Sequence, residues 1–324
     1  MKISRSGAPA ALALVGALTL TACGGQQAGS DSAAGTAGAG AALSGTISSD
    51  GSSTVGPLTS AAAELFMTEN TGVNITVGTS GTGGGFKKFC EGQTQVSNAS
   101  RPIKDEEKAA CDAKGIEYQE IVVANDALTV VANKDNGFLT CLTVEELKTL
   151  WEPAATGKVT TWNQVDPSFP SDDITLYGPG TDSGTFDYFT DEINGEEGAS
   201  RTDYEPSEDD NVIVQGVSGD RNALGYFGFT YFEENADALK AIEVDSGKGC
   251  VAPSSETARD GSYAPLSRPL FIYIDKKAYA SNAALKEFIG FYVENEAKVA
   301  EAARYIPLSE EQKKTAQDEL TALG

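Results

Sequence analysis

The stretch Val73-Asn-Ile-Thr-Val-Gly-Thr-Ser-Gly-Thr-Gly-Gly-Gly-Phe86-Lys-Lys-Phe89 carries three signals in order. Val73, Ile75 and Val77 alternate with polar residues, the period of a half-buried strand. Gly78 to Gly85 then sets hydroxyls among glycines, where backbone can approach a ligand closely. A short helix carrying Phe86 and Phe89 follows. A helix amino terminus has unpaired N–H groups and about half a positive charge, so this join of strand, loop and helix attracts anions.

Working outward, two more segments share that plan. Asp50-Gly-Ser-Ser-Thr-Val-Gly-Pro57 follows a short strand over 44–48 and a turn at Asp50-Gly51. It precedes a helix from Pro57 to Glu69, whose Leu58, Ala62, Leu65 and Phe66 share one face and which Gly72 can end. Gly180-Thr-Asp-Ser-Gly-Thr185 follows a strand from Ile174 to Tyr177 and opens a helix through Phe186 and Phe189. Singly, each loop reads as an ordinary helix cap. Converging, the three would enclose a small tetraatomic anion with hydroxyl and amide donors.

Elsewhere the pattern predicts a helix over Asp105 to Ala113 and β structure over 117–133. Thr143-Val-Glu-Glu146 is a capping box opening a helix that stops before Pro153. Leu270 to Ile274 reads as a strand, Asn282 to Arg304 as a helix with a break, and Glu310 to Leu323 as a last amphipathic helix. Asp210 to Gln215 and Asn222 to Tyr231 have no decided period. Tyr226, Phe227, Phe229, Tyr231 and Phe232 read as core and strand packing rather than a stacking platform. Strands alternating with helices give an α/β class.

The chain has 324 residues, 40% of them hydrophobic and 22% charged, enough for two folded domains. Lys and Arg number 24 against 47 Asp and Glu, a net charge of −23, which argues against nucleic-acid partners. There is no histidine, which removes Ser-His-Asp and Cys-His catalysis and every His-containing zinc site. No nucleotide P-loop, no Gly-x-Ser-x-Gly elbow and no Ser-x-x-Lys occurs. The loop hydroxyls therefore lack an evident base and read as binding elements.

Lys2 and Arg5 precede an apolar run from Ala10 to Leu20, too short for a comfortable membrane span. It ends in Leu20-Thr21-Ala22-Cys23-Gly24, which resembles a bacterial lipobox: residues 1–22 form a signal peptide and Cys23 is lipidated. The alternative is an ordinary signal with a chance cysteine. Residues 24–43, almost all Gly, Ala, Ser, Thr and Gln, form a flexible tether. The expected location is the outer face of the cell membrane, held by the lipid. Cys90, Cys111, Cys141 and Cys250 remain, and an even count in an exported chain points to disulfides. Of the three pairings, Cys90–Cys111, close in sequence, with Cys141–Cys250 bracing one domain is favoured; four free thiols is the alternative. No Cys-x-x-Cys is present, so no thiolate metal site is expected.

Six segments together carry a resemblance: Asp50-Gly-Ser-Ser-Thr-Val55, Gly78-Thr-Ser-Gly-Thr-Gly-Gly-Gly-Phe86, Ala99-Ser-Arg-Pro-Ile103, Thr181-Asp-Ser-Gly-Thr-Phe186, Asn222-Ala-Leu-Gly-Tyr-Phe-Gly228 and Leu266-Ser-Arg-Pro-Leu-Phe-Ile-Tyr273. In that order, from about residue 44 to the end, the chain resembles the PstS family, the phosphate-binding lipoproteins of bacterial phosphate ABC transporters. The resemblance implies a two-lobed periplasmic-binding-protein fold of type II, with lobe one at 44–125 plus 263–324 and lobe two at 126–262. It implies that a monomer closes on inorganic phosphate in the cleft between lobes and docks on a membrane permease. No cofactor, metal or catalysis is implied. Ser53 and Thr54, Ser80 with Thr79, and Ser183, Gly184 and Thr185 are the implied donors.

Two departures matter. Some family members have Asp where this chain has Arg101, and Arg just before the Ser-Gly-Thr loop, where this chain has Pro179 and Gly180. Read physically, the positive charge moves to Arg101, whose fork suits an oxyanion. Asp182 becomes the acceptor of the proton that phosphate carries and sulfate lacks, with Asp50 as substitute. Arg268 is expected to support the lobe connection or to contact the other lobe, and not to bind. Two other readings remain open: a binder of another tetrahedral oxyanion, such as sulfate or molybdate, and an extracellular phosphate-ester hydrolase, which would need a metal cluster or an activated nucleophile.

Overall fold

The computed structural model describes residues 42–324. The expected signal peptide, Cys23 and nearly all of the tether lie outside the described residues. β1 (Ser44–Gly51), α1 (Gly56–Glu69), β2 (Gly72–Gly78), α2 (Thr82–Cys90), β3 (Val96–Ala99) and α3 (Asp105–Lys114) alternate along the chain. β1 lies between β2 and β3, parallel to each, as connections through helices require. β4 (Tyr118–Asn133) follows as one 16-residue strand.

The second half of the alternation is β5 (Cys141–Thr143), α4 (Val144–Trp151), β6 (Thr175–Pro179), α5 (Gly184–Phe189), β7 (Glu205–Ser207), α6 (Asp210–Gly219), β8 (Ala223–Gly228), α7 (Phe229–Glu234), β9 (Leu239–Ala241), β10 (Glu243–Asp245), β11 (Cys250–Val251) and α8 (Ser255–Arg259). The chain returns through β12 (Ser267–Asp275) and ends in α9 (Lys276–Ser281), α10 (Ala283–Glu294), α11 (Glu296–Ala302) and α12 (Glu310–Ala322). α5 runs on as a π-helical turn to Asn194. No helix among the described residues is long and apolar enough to cross a membrane.

β4 and β12 tie two lobes together. Tyr118 to Ala127 of β4 pairs with β12, while Leu128 to Ala132 pairs with β8. The hydrophobic cores change with the pairing. Ile47, Leu58, Phe66, Ala124, Leu270, Phe288 and Tyr292 pack in one cluster. Ala127, Trp151, Trp162, Phe189, Tyr226 and Leu266 pack in another. On the opposite sheet faces lie Phe86, Phe89 and Tyr273 in the first lobe and Ile213, Val217 and Phe227 in the second. Each lobe is thus a sheet covered by helices on both faces. The α/β class and the two-lobed form are as expected.

Several local differences have plain causes. The Asp50-Gly51 turn is the end of β1, because register with β3 continues to Gly51. The undecided 210–215 segment opens α6, whose period is masked by Gly216 and Gly219. Gly216 is required by packing: a Cβ there would fall 2.3 Å from the Tyr177 ring. The second undecided stretch is β8 running directly into α7 with no loop between. The long carboxy-terminal helix breaks at Asn295. Cys90 pairs with Cys111 and Cys141 with Cys250. Tyr226 and Phe227 are fully buried, and Tyr226 stacks on Phe189 with centroids 3.8 Å apart.

Candidate functional site

Loops that leave the carboxyl ends of parallel strands gather at one edge of a sheet, and here they gather between the lobes. A cleft of about 460 Å³ is lined on the first lobe by Ser52, Ser53, Thr54, Ser80 and Arg101 and on the second by Gly184, Asp187 and Tyr188. Arg268, from β12, reaches it from the connection between lobes.

The first loop is held by Ser52, whose hydroxyl accepts the Thr54 N–H at 3.1 Å while its carbonyl accepts the Gly56 N–H at 2.9 Å. This starts α1 and leaves Ser53 and Thr54 facing the cleft. The second loop is held by Asp50. Its carboxylate accepts the Ser80 N–H at 3.2 Å, the Ser80 hydroxyl, and Lys88 Nζ at 2.6 Å. Burial alone would raise the Asp50 carboxyl; the bonds from Lys88 and Ser80 outweigh it and hold the group below its usual range. Asp50 therefore shapes the Ser80 loop and is not on the cleft wall.

In the third loop Ser183 caps α5, its hydroxyl accepting the Thr185 N–H at 3.2 Å. Gly184 brings the helix start against the first loop. A Cβ on Gly184 would stand 2.8 Å from Thr54 Oγ1 and 3.0 Å from Ser53 Oγ. Ser53, Thr54, Ser80, Arg101 and Gly184 of the expected set are brought to one cleft. Thr79 is exposed and turns its methyl toward Gly56 at the start of α1. Asp182 is exposed, off the cleft wall, with its N–H directed at Glu208 Oε1 at 3.3 Å. Thr185 lines a neighbouring cavity of about 270 Å³ with Asp126, Asp210 and Arg304.

The two Ser-Arg-Pro arginines differ sharply. Arg101 Nη1 and Nη2 each donate to the Glu107 carboxylate at 2.8 Å, and Glu107 also accepts the Lys104 N–H at 2.8 Å at the start of α3. Burial pushes Glu107 up, but Arg101 and the Lys104 amide outweigh it and keep it ionised below its usual range. Arg268 Nε lies 3.4 Å from Asp126 Oδ2, Nη2 donates to Thr54 Oγ1 at 3.1 Å, and Cζ sits 3.4 Å from the Tyr188 ring centre. Sequence reasoning passed over Arg268 as a wall residue because its partner Asp126 is 142 positions away. The second-lobe wall is acidic, with Asp187, Asp191, Glu192 and Glu197. Burial and the nearby Glu197 push Asp187 up, and Arg268 opposes them.

Residues 36–296 match the family model described as a PBP superfamily domain. The protein SphX of Synechocystis sp. is 53% identical over 82% of this chain and 79% of its own length. The phosphate-binding protein PstS of Staphylococcus saprophyticus is 46% identical over 82% of this chain and 81% of its own. The crystal structure of a possible phosphate binding protein from Planctomyces limnophilus superposes with a TM-score of 0.82, at 46% identity over 87% of this chain and 99% of that one. With a family model over most of its length and relatives at this identity, the chain belongs to the PBP superfamily and, within it, to the PstS and SphX family of phosphate-binding proteins.

Proposed function

We propose that the protein captures inorganic phosphate between its lobes and delivers it to the permease of an ABC importer. The observation that carries this reading is the meeting of Ser53, Thr54, Ser80 and the Gly184 end of α5 around one cleft. A phosphate ion sheds its hydration shell on entering and must regain an equal set of donors. Serine and threonine hydroxyls and the first amides of α1, α2 and α5 supply most of them. Ser183 and Thr185 add the backbone of the α5 start, and Thr79 packs its methyl against the start of α1 at Gly56.

Phosphate near neutral pH keeps a proton, which needs an acceptor. Asp182 was the sequence-based expectation, with Asp50 as substitute. We assign the role to Asp187, which lines the cleft from the first turn of α5. Nothing in this reading calls for bond-making chemistry or a metal. Lobe closure on the ion supplies the signal that the permease reads, and Cys23, lipidated after removal of residues 1–22, keeps a monomer at the outer face of the cell membrane.

Calorimetric titration of the full chain with phosphate, arsenate and sulfate tests the reading. Tight uptake of the first two and neglect of sulfate is the expected result. Preference for sulfate or molybdate would move the assignment to another oxyanion. Turnover of a chromogenic phosphate ester, with or without divalent metals, would replace it with a hydrolase. Mass spectrometry of the mature amino-terminal peptide checks the lipid on Cys23.

A further inference from the structure

We infer that Arg268, and not Arg101, supplies the guanidinium that meets the bound phosphate; this rests on the phosphate reading above. A guanidinium binds an oxyanion well when its fork is free, oriented and sheltered from water. Arg101 fails the first condition. Its two terminal nitrogens are taken by Glu107, itself part of the α3 amino-terminal cap. Turning Arg101 toward a ligand would leave that partly buried carboxylate without its partner.

Arg268 meets all three conditions. Its Nη1 has no hydrogen-bond partner among the described residues, and Nη2 uses one hydrogen on Thr54. Its side chain is 17% exposed against 31% for Arg101, so water competes less for the fork. Orientation comes from three directions. Asp126, opposite Arg268 in the β4–β12 register and buried, faces Nε. The Tyr188 ring lies under the guanidinium plane, and the Tyr188 hydroxyl is fixed by the Pro265 carbonyl at 2.6 Å. Thr54 accepts from Nη2, which turns the threonine's own proton away from Arg268 and frees it for the ion.

These partners come from three parts of the molecule. Thr54 belongs to a first-lobe loop, Tyr188 to a second-lobe helix, and Asp126 to the strand that joins the lobes. The charge that some family members place just before the Ser-Gly-Thr loop, and that the sequence reading moved to Arg101, therefore arrives from β12, which pairs with β4 where the lobes join.

The test is phosphate titration of the full chain beside R268K, R268Q, R101Q and the double variant R268Q with D126N, each checked by circular dichroism and thermal melting. R268Q is expected to weaken phosphate by about 100-fold and to reduce the salt dependence of binding, since one ligand-facing cation is gone. R268K keeps a charge opposite Asp126 but lacks the fork, so a loss of about 10-fold is expected. R101Q should stay within about threefold. If R268Q fails to fold with Asp126 left unpaired, the double variant removes that charge and gives the same reading. If neither folds, R268K decides, and unchanged affinity there overturns the inference. R268Q within threefold of wild type, or R101Q losing as much as R268Q, also overturns it while the phosphate reading stands. A wild-type chain that ignores phosphate overturns both.

Discussion

Gly184 and Thr54 are in contact across the cleft: a methyl group on Gly184 would press on the Thr54 hydroxyl at 2.8 Å. Real Cβ atoms do not sit that close to a hydroxyl oxygen, so the first loop and the α5 start would have to part. Gly184→Ala is expected to leave the melting temperature nearly unchanged, because alanine suits a first helical turn. Phosphate affinity should fall at least 10-fold, about 1.4 kcal/mol. Calorimetry on a variant with intact circular dichroism checks this, and wild-type affinity would show that the lobes do not close through this contact.

The second-lobe wall makes a prediction about selectivity. In the role proposed for it, an ionised Asp187 accepts phosphate's proton and repels sulfate, which has none to give. Asp187→Asn should narrow the preference for phosphate over sulfate by at least 10-fold, while Asp182→Asn, altered at an exposed position off the wall, should keep it. Burial raises the Asp187 carboxyl. As pH drops through that raised value the neutral acid becomes a donor, so sulfate should begin to compete at acid pH in the wild type and not change with pH in the asparagine variant. Competition titrations at several pH values check it.

Much of the scaffold was legible because local pattern and tertiary packing agree. The alternation of Val73, Ile75 and Val77 becomes β2, and Thr143 and Glu146 form the capping box that opens α4. The break in the last long helix falls at Asn295, whose side chain bonds back to the Phe291 carbonyl. What stayed hidden is set by residues far apart in the chain. The two Ser-Arg-Pro tripeptides are identical, and only the fold gives one a neighbouring Glu107 and the other a buried Asp126. Asp182 and Asp187 are a few residues apart, but Ser183 between them is the extended cap of α5, and only Asp187, inside the helix, lies on the cleft wall. α6 escaped notice because Gly216 answers to the Tyr177 ring rather than to helix propensity.

Asp50 links stability to the second loop. Its folded carboxyl is depressed below the unfolded value, so its contribution is present above about pH 4 and is lost as pH falls through the lower folded value. Asp50→Asn keeps the shape but removes the charge facing Lys88. A loss of about 1 kcal/mol at pH 7 is expected, discounted because Lys88 is partly solvated. The variant should also lose stability less steeply below pH 4 than the wild type. Urea unfolding at pH 3 and pH 7 checks the sign; parallel curves would show that the ion pair contributes nothing.

The Cys141–Cys250 disulfide closes a loop with a sequence separation of 109 residues, enclosing most of the second lobe. Cross-linking residues that far apart removes about 4–5 kcal/mol of unfolded-chain entropy in the loop-closure picture, and strain lowers what is realised. Cys141 is half-buried and Cys250 exposed, so serine at both leaves no large cavity. The double serine variant is expected to lose about 2–4 kcal/mol and to lower the midpoint of unfolding, with phosphate affinity retained because neither residue lies on the cleft. Denaturant titration with and without a reductant checks it: reduction should destabilise the wild type more than the variant, in which only Cys90–Cys111 remains to be reduced.

Asp210 behaves in the opposite sense from Asp50. Burial, with Asp209 adding to it and Arg304 opposing, pushes its carboxyl from 3.8 up to about 6. Between these values the folded protein holds a proton that the unfolded chain has released, so stability falls as pH rises through the window and the loss is complete above it. The group is half-buried, so water reduces the full shift of about 3 kcal/mol to an expected 1–2 kcal/mol, roughly. Asp210→Asn removes the ionisation. It should match the wild type near pH 4 and exceed it by that amount at pH 7.5. Urea unfolding of both proteins at the two pH values reads the difference directly. The same margin at each pH would mean that the carboxyl titrates normally and that the cavity it shares with Asp126 and Arg304 is well hydrated.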